Sequence, residues 1–162
     1  MQNDMIVMIT GASSGIGAAC AEVFAERGCR LLLAARRADR LEALAGRLQA
    51  AGGADVHLLE LDVRDRRAVE AAVGDLPAAW RDVDVLVNNA GLSRGLERLP
   101  EGSPDDWEEM LDTNVKGLLW VTRAVLPGMV ARDRGHVVNI GSISGHQVYA
   151  GGAVYCASKH AV

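Results

Sequence analysis

Apolar and polar positions along the chain fall into two alternating kinds of segment. Short, continuous apolar runs occupy 5–10 (MIVMIT), 30–35 (RLLLAA), 56–63 (VHLLELDV), 83–89 (VDVLVNN) and 136–142 (HVVNIGS). Runs of this length, apolar at consecutive rather than alternate positions, predict strands buried on both faces. Between them lie segments with helical spacing. Residues 18–28 (AACAEVFAERG) put Cys20, Val23 and Phe24 on one face and stop at Gly28. Residues 38–53 form a second helix that ends in paired glycines, and 66–76 a third. A long helix opens with Ser103 as N-cap, Pro104 in the first position, and Asp105 and Asp106 at the positive end of the helix dipole. It is expected to run to about Arg132, with Pro127 kinking or breaking it late. Another helix begins near Tyr155.

This alternation predicts an α/β fold: a doubly wound parallel sheet of Rossmann type in three α/β/α layers, with residues 1–162 as a single domain. In such sheets ligands bind outside the carboxyl ends of the strands, near the point where strand order reverses. Composition adds only exclusions. With 49% hydrophobic and 23% charged residues the chain reads as soluble and globular, and a net charge of −4 makes no case for nucleic acid or an anionic membrane surface. No run approaches the roughly 18–20 apolar residues of a membrane span. The opening stretch MQNDMIVMITGASSG lacks the basic and apolar segments of a signal peptide. Three unpatterned cysteines, Cys20, Cys29 and Cys156, predict reduced thiols in a cytoplasmic protein and no metal site. Cys156 reads as a small side chain packed beside a site.

The candidate chemistry clusters at the predicted strand ends. TGASSGIG (10–17) joins the first strand to the first helix. Glycines at 11, 15 and 17 permit a tight turn and let backbone N–H groups approach a pyrophosphate; Ser13 and Ser14 add hydroxyls, and the helix N-terminus adds positive charge. Where many dinucleotide sites carry an acidic residue for the ribose 2′-OH, this chain has Arg36 and Arg37, which suit a 2′-phosphate and so NADP over NAD; a solvated surface pair is the alternative. Asp62, after the third strand, suits either an adenine amino group or a helix cap. Asn88 and Asn89 suit backbone clamping, and Ala90 and Gly91 leave room for a flat ring or sugar. Asn114 and Gly117 are poor residues for a helix interior and predict a local distortion that exposes a carbonyl to hold a water. Ser142 lies thirteen residues before Tyr155, with Ser144 a rival hydroxyl. Tyr155 and Lys159 share a helix face; an ammonium beside a phenol favours the phenolate and suits tyrosine to acid–base work.

Taken in order, TGASSGIG, LDV, NNAG, TNVKG, NIGS and YCASK resemble the classical short-chain dehydrogenase/reductase family along essentially the whole chain. The resemblance implies that Tyr155 is the proton donor and acceptor and that Lys159 orients the nicotinamide ribose and lowers the tyrosine pKa. Ser142 would polarise the substrate and Asn114 would hold a relay water. Cofactor contacts would fall to Gly11, Ala12, Ser13, Ser14, Gly15, Ile16, Gly17, Arg36, Arg37, Asp62, Val63, Asn89, Ala90 and Gly91, together with Tyr155 and Lys159. Longer stretches, LPAAWRDVDVLVNNAGL, DDWEEMLDTNVKGLLWVTRAVLPGMV and YAGGAVYCASK, resemble the bacterial NADP-dependent 3-hydroxy acid dehydrogenases, a subfamily acting on serine and allo-threonine. That implies hydride transfer between NADP(H) and the 3-hydroxyl or 3-keto carbon of a short hydroxy acid, in a homotetramer. A 3-oxoacyl thioester reductase and a non-catalytic NADP(H)-binding relative are the alternatives. Family members continue well past Lys159, so the chain is expected to be C-terminally truncated and to lack the last strands of the family fold.

Overall fold

The computed structural model describes residues 4–162; residues 1–3, the first part of the stretch read as free of a leader, lie outside the described residues. Five strands form one sheet: β1 (Ile6–Thr10), β2 (Arg30–Ala35), β3 (Val56–Glu60), β4 (Val85–Asn88) and β5 (His136–Asn139). Their spatial order is β3-β2-β1-β4-β5 and every pairing is parallel. Consecutive side chains of β1 point to opposite faces. Ile6 and Met8 therefore join one core with Leu32, Leu86, Val69, Val121, Val125 and Met129, while Val7 and Ile9 join another with Leu31, Leu33, Val87, Leu41, Leu44 and Leu48. Helices α1 (Gly15–Glu26) and α2 (Ala38–Gly52) supply the second core. Helices α3 (Arg66–Gly74) and α5 (Leu118–Ala131) supply the first, which completes the three predicted layers. No helix among the described residues is long and apolar enough to cross a membrane.

Local chemistry sets the boundaries. Helix α1 starts at Gly15, earlier than the apolar spacing predicts, because its first turn is the glycine loop itself. It ends in a Schellman motif: Gly28 at φ +74° lets Gly28 N–H donate to Ala25 and Cys29 N–H to Phe24. Strand β3 stops at Glu60 and not at Val63. The Asp62 carboxylate accepts the Arg64 N–H at 3.0 Å, and that turn bends the chain out of the sheet. The cap of α3 is Asp65, which accepts from Arg67 and Ala68, so the helix-cap alternative for Asp62 is set aside.

The predicted long helix is a composite. Helix α4 (Pro104–Leu111) passes into a π-helical segment, Asp112–Gly117, and then into α5. The distortion falls on the residues that predicted it, Asn114 and Gly117. Pro127 does not end the helix, which continues to Ala131. Ser103 occupies the N-cap position but its hydroxyl makes no capping bond. Helix α6 (Ala153–Ala161) begins two residues before Tyr155 and packs against α4 and the π segment.

Candidate active site

A cleft of about 510 Å³ opens along the carboxyl edge of the sheet, and all five strand ends contribute to it. Gly11, Ser13, Ser14, Gly15 and Ile16 follow β1; Arg36 and Arg37 follow β2; Asp62 and Val63 follow β3; Asn89, Ala90 and Gly91 follow β4; Ile140 and Gly141 follow β5. Because β1 has β2 on one side and β4 on the other, the cleft straddles the reversal of strand order.

The loop after β1 is held from below by Asn89, whose amide donates to the carbonyls of Thr10 at 2.9 Å and Gly11 at 3.2 Å. The Thr10 hydroxyl in turn accepts the N–H groups of Asn89 and Ala90. Side chains at 11 and 17 would destroy this fit. A Cβ on Gly11, which sits at φ +65°, would stand 2.8 Å from the Ala90 Cα, and one on Gly17 would stand 2.6 Å from the Gly11 carbonyl oxygen. Gly15 is different: its φ of +56° needs glycine, yet nothing lies within 4 Å of where its Cβ would be. The space above the loop is thus open while the space below it is closed. Such a loop, at the N-terminus of the twelve-residue α1, fits a pyrophosphate. Ala12 is fully buried and Gly17 lies beneath the loop, so neither of these two expected contacts forms the cleft wall. Asn88 also points away, donating to Thr122 and Asn139.

At the rim, Arg37 donates to the hydroxyls of Ser13 and Ser14, both at 2.9 Å, which clips the end of β2 to the glycine loop. Arg36 lies at ion-pair distance from Asp62 (3.9 Å) and Glu109 (3.7 Å). Partial burial pushes the Asp62 carboxyl up, but the hydrogen bonds and charge of Arg64, with Arg36 behind it, outweigh burial and hold it below the usual carboxylate range. A cation-rich rim with no acidic residue at the end of β2 fits a 2′-phosphate better than a bare ribose.

The other end of the cleft is formed by α6. Tyr155 and Lys159 both line it, and Tyr155 also lines a small adjoining hollow with Arg94, Gly95, Trp107 and Met110. The Lys159 Nζ donates to the Ile140 carbonyl at 2.8 Å, and burial pushes its pKa down. Asn114 is buried behind this pair; its carboxamide accepts the Leu92 N–H and donates to the Leu92 carbonyl, both at 2.8 Å, and donates to Ser158 Oγ at 3.0 Å. Gly91 is the contact point, since a Cβ there would lie 3.2 Å from Asn114 Oδ1 and 3.7 Å from Lys159 Nζ. Ser142 Oγ accepts the Ser144 N–H at 3.1 Å and so opens a short 3₁₀ turn. Neither Asn114 nor Ser142 lines the cleft directly. Of the rival hydroxyls Ser144 is buried and Ser142 only half-buried.

The model of the family described as "short chain dehydrogenase" matches residues 5–162. The chain belongs to the short-chain dehydrogenase family. It is 54% identical over 155 residues to the NADP-dependent 3-hydroxy acid dehydrogenase of Salmonella typhi, covering 96% of this chain and 61% of that one. It is 43% identical over 153 residues to the serine 3-dehydrogenase of Agrobacterium fabrum, covering 94% and 59%. Among solved structures, serine dehydrogenase from Escherichia coli superposes with a TM-score of 0.91 at 47% identity, covering 96% of this chain and 70% of that one. A closed form of serine dehydrogenase complexed with NADP+ gives the same score and identity, covering 96% and 61%. The chain thus spans about three fifths of the length of the curated relatives it matches.

This short-chain dehydrogenase also carries groups that sequence reasoning missed. Leu92, Ser93 and Thr113 line the cleft, and Arg64, Arg94 and Glu109 gather behind its rim. Leu92 and Ser93 could have been reached by extending the Asn89–Gly91 motif past its glycine. The position of Glu109 depends on how α4 crosses the β3 end, and no local pattern carries that.

Proposed function

We propose that the protein is an NADP-dependent oxidoreductase that moves a hydride between NADP(H) and the 3-hydroxyl or 3-keto carbon of a short hydroxy acid such as serine or allo-threonine. The observation that carries this reading is a single cleft with a guanidinium rim and glycine loop at one end and Tyr155 with Lys159 at the other. The names of the similar proteins support the same cofactor and substrate class.

In this reading the loop from Gly11 to Ile16 takes the pyrophosphate, Arg36 and Arg37 take the 2′-phosphate, Asp62 and Val63 border the adenine, and Asn89 to Gly91 border the nicotinamide ribose. The bound cofactor accepts or supplies the hydride. The protein handles the proton. During oxidation the Tyr155 oxygen takes the proton of the substrate hydroxyl as general base; during reduction it returns it. Ser142, whose oxygen already accepts from Ser144, keeps its own O–H to donate to the substrate oxygen. Lys159 is held by Ile140 with its charge one turn from the phenol, where it stabilises the negative charge that develops on that oxygen. Asn114 ties the loop after β4 to the π segment, whose irregular carbonyls suit a relay water. The apolar residues that α5 exposes, Leu119, Leu126 and Val130, support assembly of the whole protein into a homotetramer.

The test is Tyr155→Phe. Turnover of NADP+ with serine, allo-threonine and 3-hydroxybutyrate should fall about 10²- to 10⁴-fold, with NADPH affinity within about twofold of wild type. Unchanged turnover would remove Tyr155 from its role. Wild-type turnover with 3-oxoacyl thioesters but not with 3-hydroxy acids would move the assignment to the thioester reductases.

A further inference from the structure

We propose that Glu109 is a specificity-determining positioning residue: it partly neutralises the guanidinium rim and so sets how strongly the cleft prefers a 2′-phosphorylated nucleotide over an unphosphorylated one. This rests on the reading of Arg36 and Arg37 as the phosphate-binding pair. Glu109 belongs to no strand end; it sits on the second turn of α4. One carboxylate there meets three guanidiniums: Arg94 Nε at 2.8 Å, Arg64 Nη1 at 3.2 Å and Arg36 Nη1 at 3.7 Å. The first two are hydrogen bonds. The third is charge attraction only, as is the 3.9 Å approach of Arg36 to Asp62.

Arg36 is therefore drawn toward the carboxylates but keeps its donors for a ligand. It lines the cleft and its side chain is half exposed, whereas Glu109, Arg64 and Arg94 lie off the cleft wall. A phosphate arriving at Arg36 must pull it away from Glu109 and bring like charge near that carboxylate. Both effects weaken the 2′-phosphate contact and leave a nucleotide without that phosphate untouched. Arg94 acts in the opposite sense. By holding one Glu109 oxygen it keeps that carboxylate partly occupied, and its removal gives Glu109 more fully to Arg36.

The experiment measures dissociation constants of 2′,5′-ADP and 5′-AMP, and of NADPH and NADH, for the purified protein and for Glu109→Gln and Arg94→Gln. Glu109→Gln should tighten 2′,5′-ADP and NADPH about two- to fivefold, and Arg94→Gln should weaken them by a similar factor, with 5′-AMP and NADH unmoved. Both effects should shrink as salt is raised. A residue that only braces the fold would shift both nucleotides of a pair together and in the same direction for both variants, and that result overturns the proposal. Wild type preferring NADPH, with an unaltered ratio in Glu109→Gln, overturns it alone. Wild type with no preference overturns the NADP reading and the proposal together. If Glu109→Gln fails to melt cooperatively, the sign of the Arg94→Gln effect decides.

Discussion

The two ends of the cleft are built by different means. The nucleotide end is made of what is missing: at Gly11 and Gly17 the absent Cβ atoms let the Asn89 amide and the Ala90 backbone close beneath the loop. Most of it comes from the first three strand–helix units, contiguous in sequence, with Asn89 and Ala90 added from the end of β4 to brace the backbone of the loop. The other end, which we read as handling the proton, is made of side chains from three places: Asn114 in the π segment, Ser142 after β5, and Tyr155 with Lys159 on α6. Asn114, Ser142 and Lys159 are each fixed by a bond to backbone, at Leu92, Ser144 and Ile140. Substitution at the first end should change shape and affinity. Substitution at the second should change rate and leave the shape alone.

Lys159→Ala gives the largest separation of the two. It removes the charge one helical turn from Tyr155 and should lower kcat about 10²- to 10³-fold while the circular dichroism spectrum stays unchanged. Gly17→Ala should do the reverse. Its Cβ would meet the Gly11 carbonyl and the Asn89 amide, so denaturant melts should show a loss of about 1–3 kcal/mol, and NADPH binding should weaken with it. Gly15→Ala sharpens the point: nothing crowds that Cβ, and only the backbone penalty of about 1 kcal/mol remains. Arg37→Gln should weaken NADPH about tenfold and NADH far less, because it removes a guanidinium from the rim while the loop loses only its clip to Ser13 and Ser14.

The smallest effect is with pH. Arg94 chiefly holds Glu109, and Arg64 chiefly holds Asp62, below the ordinary carboxylate range. Their ion pairs therefore add stability that is complete above the ordinary carboxylate range, about pH 5, and is lost as pH falls through the lowered values. Glu109→Gln should make the acid limb of a stability–pH curve shallower; an unaltered limb would show that the cluster contributes nothing to folding.

The two ends were also unequally legible. The glycine loop, the rim arginines and the Asn89 clamp could be read locally, because each depends on residues within a few positions of a strand end. All five strands were legible from unbroken apolar runs, yet β3, β4 and β5 were each drawn three residues too long; in β3 Val63 looks like a strand residue and only the Asp62 turn diverts it. The π segment was foreshadowed by Asn114 and Gly117, which resist regular helix. The charge cluster at Glu109 and the cleft wall at Thr113 were not legible, because both depend on the angle at which α4 and the π segment pass the strand ends.

The strand order β3-β2-β1-β4-β5 has a consequence for how the molecule comes together. β1, β2 and β3 are neighbours in space and in sequence, so each joins the sheet by closing one short crossover. β4 must find β1 across a much longer stretch of chain, pairing Val85 with Val7, before β5 has an edge to join. Long closures are slow. The glycine loop is therefore braced only when β4 brings Asn89 and Ala90 beneath it, and bound nucleotide can act as a template that favours this late pairing.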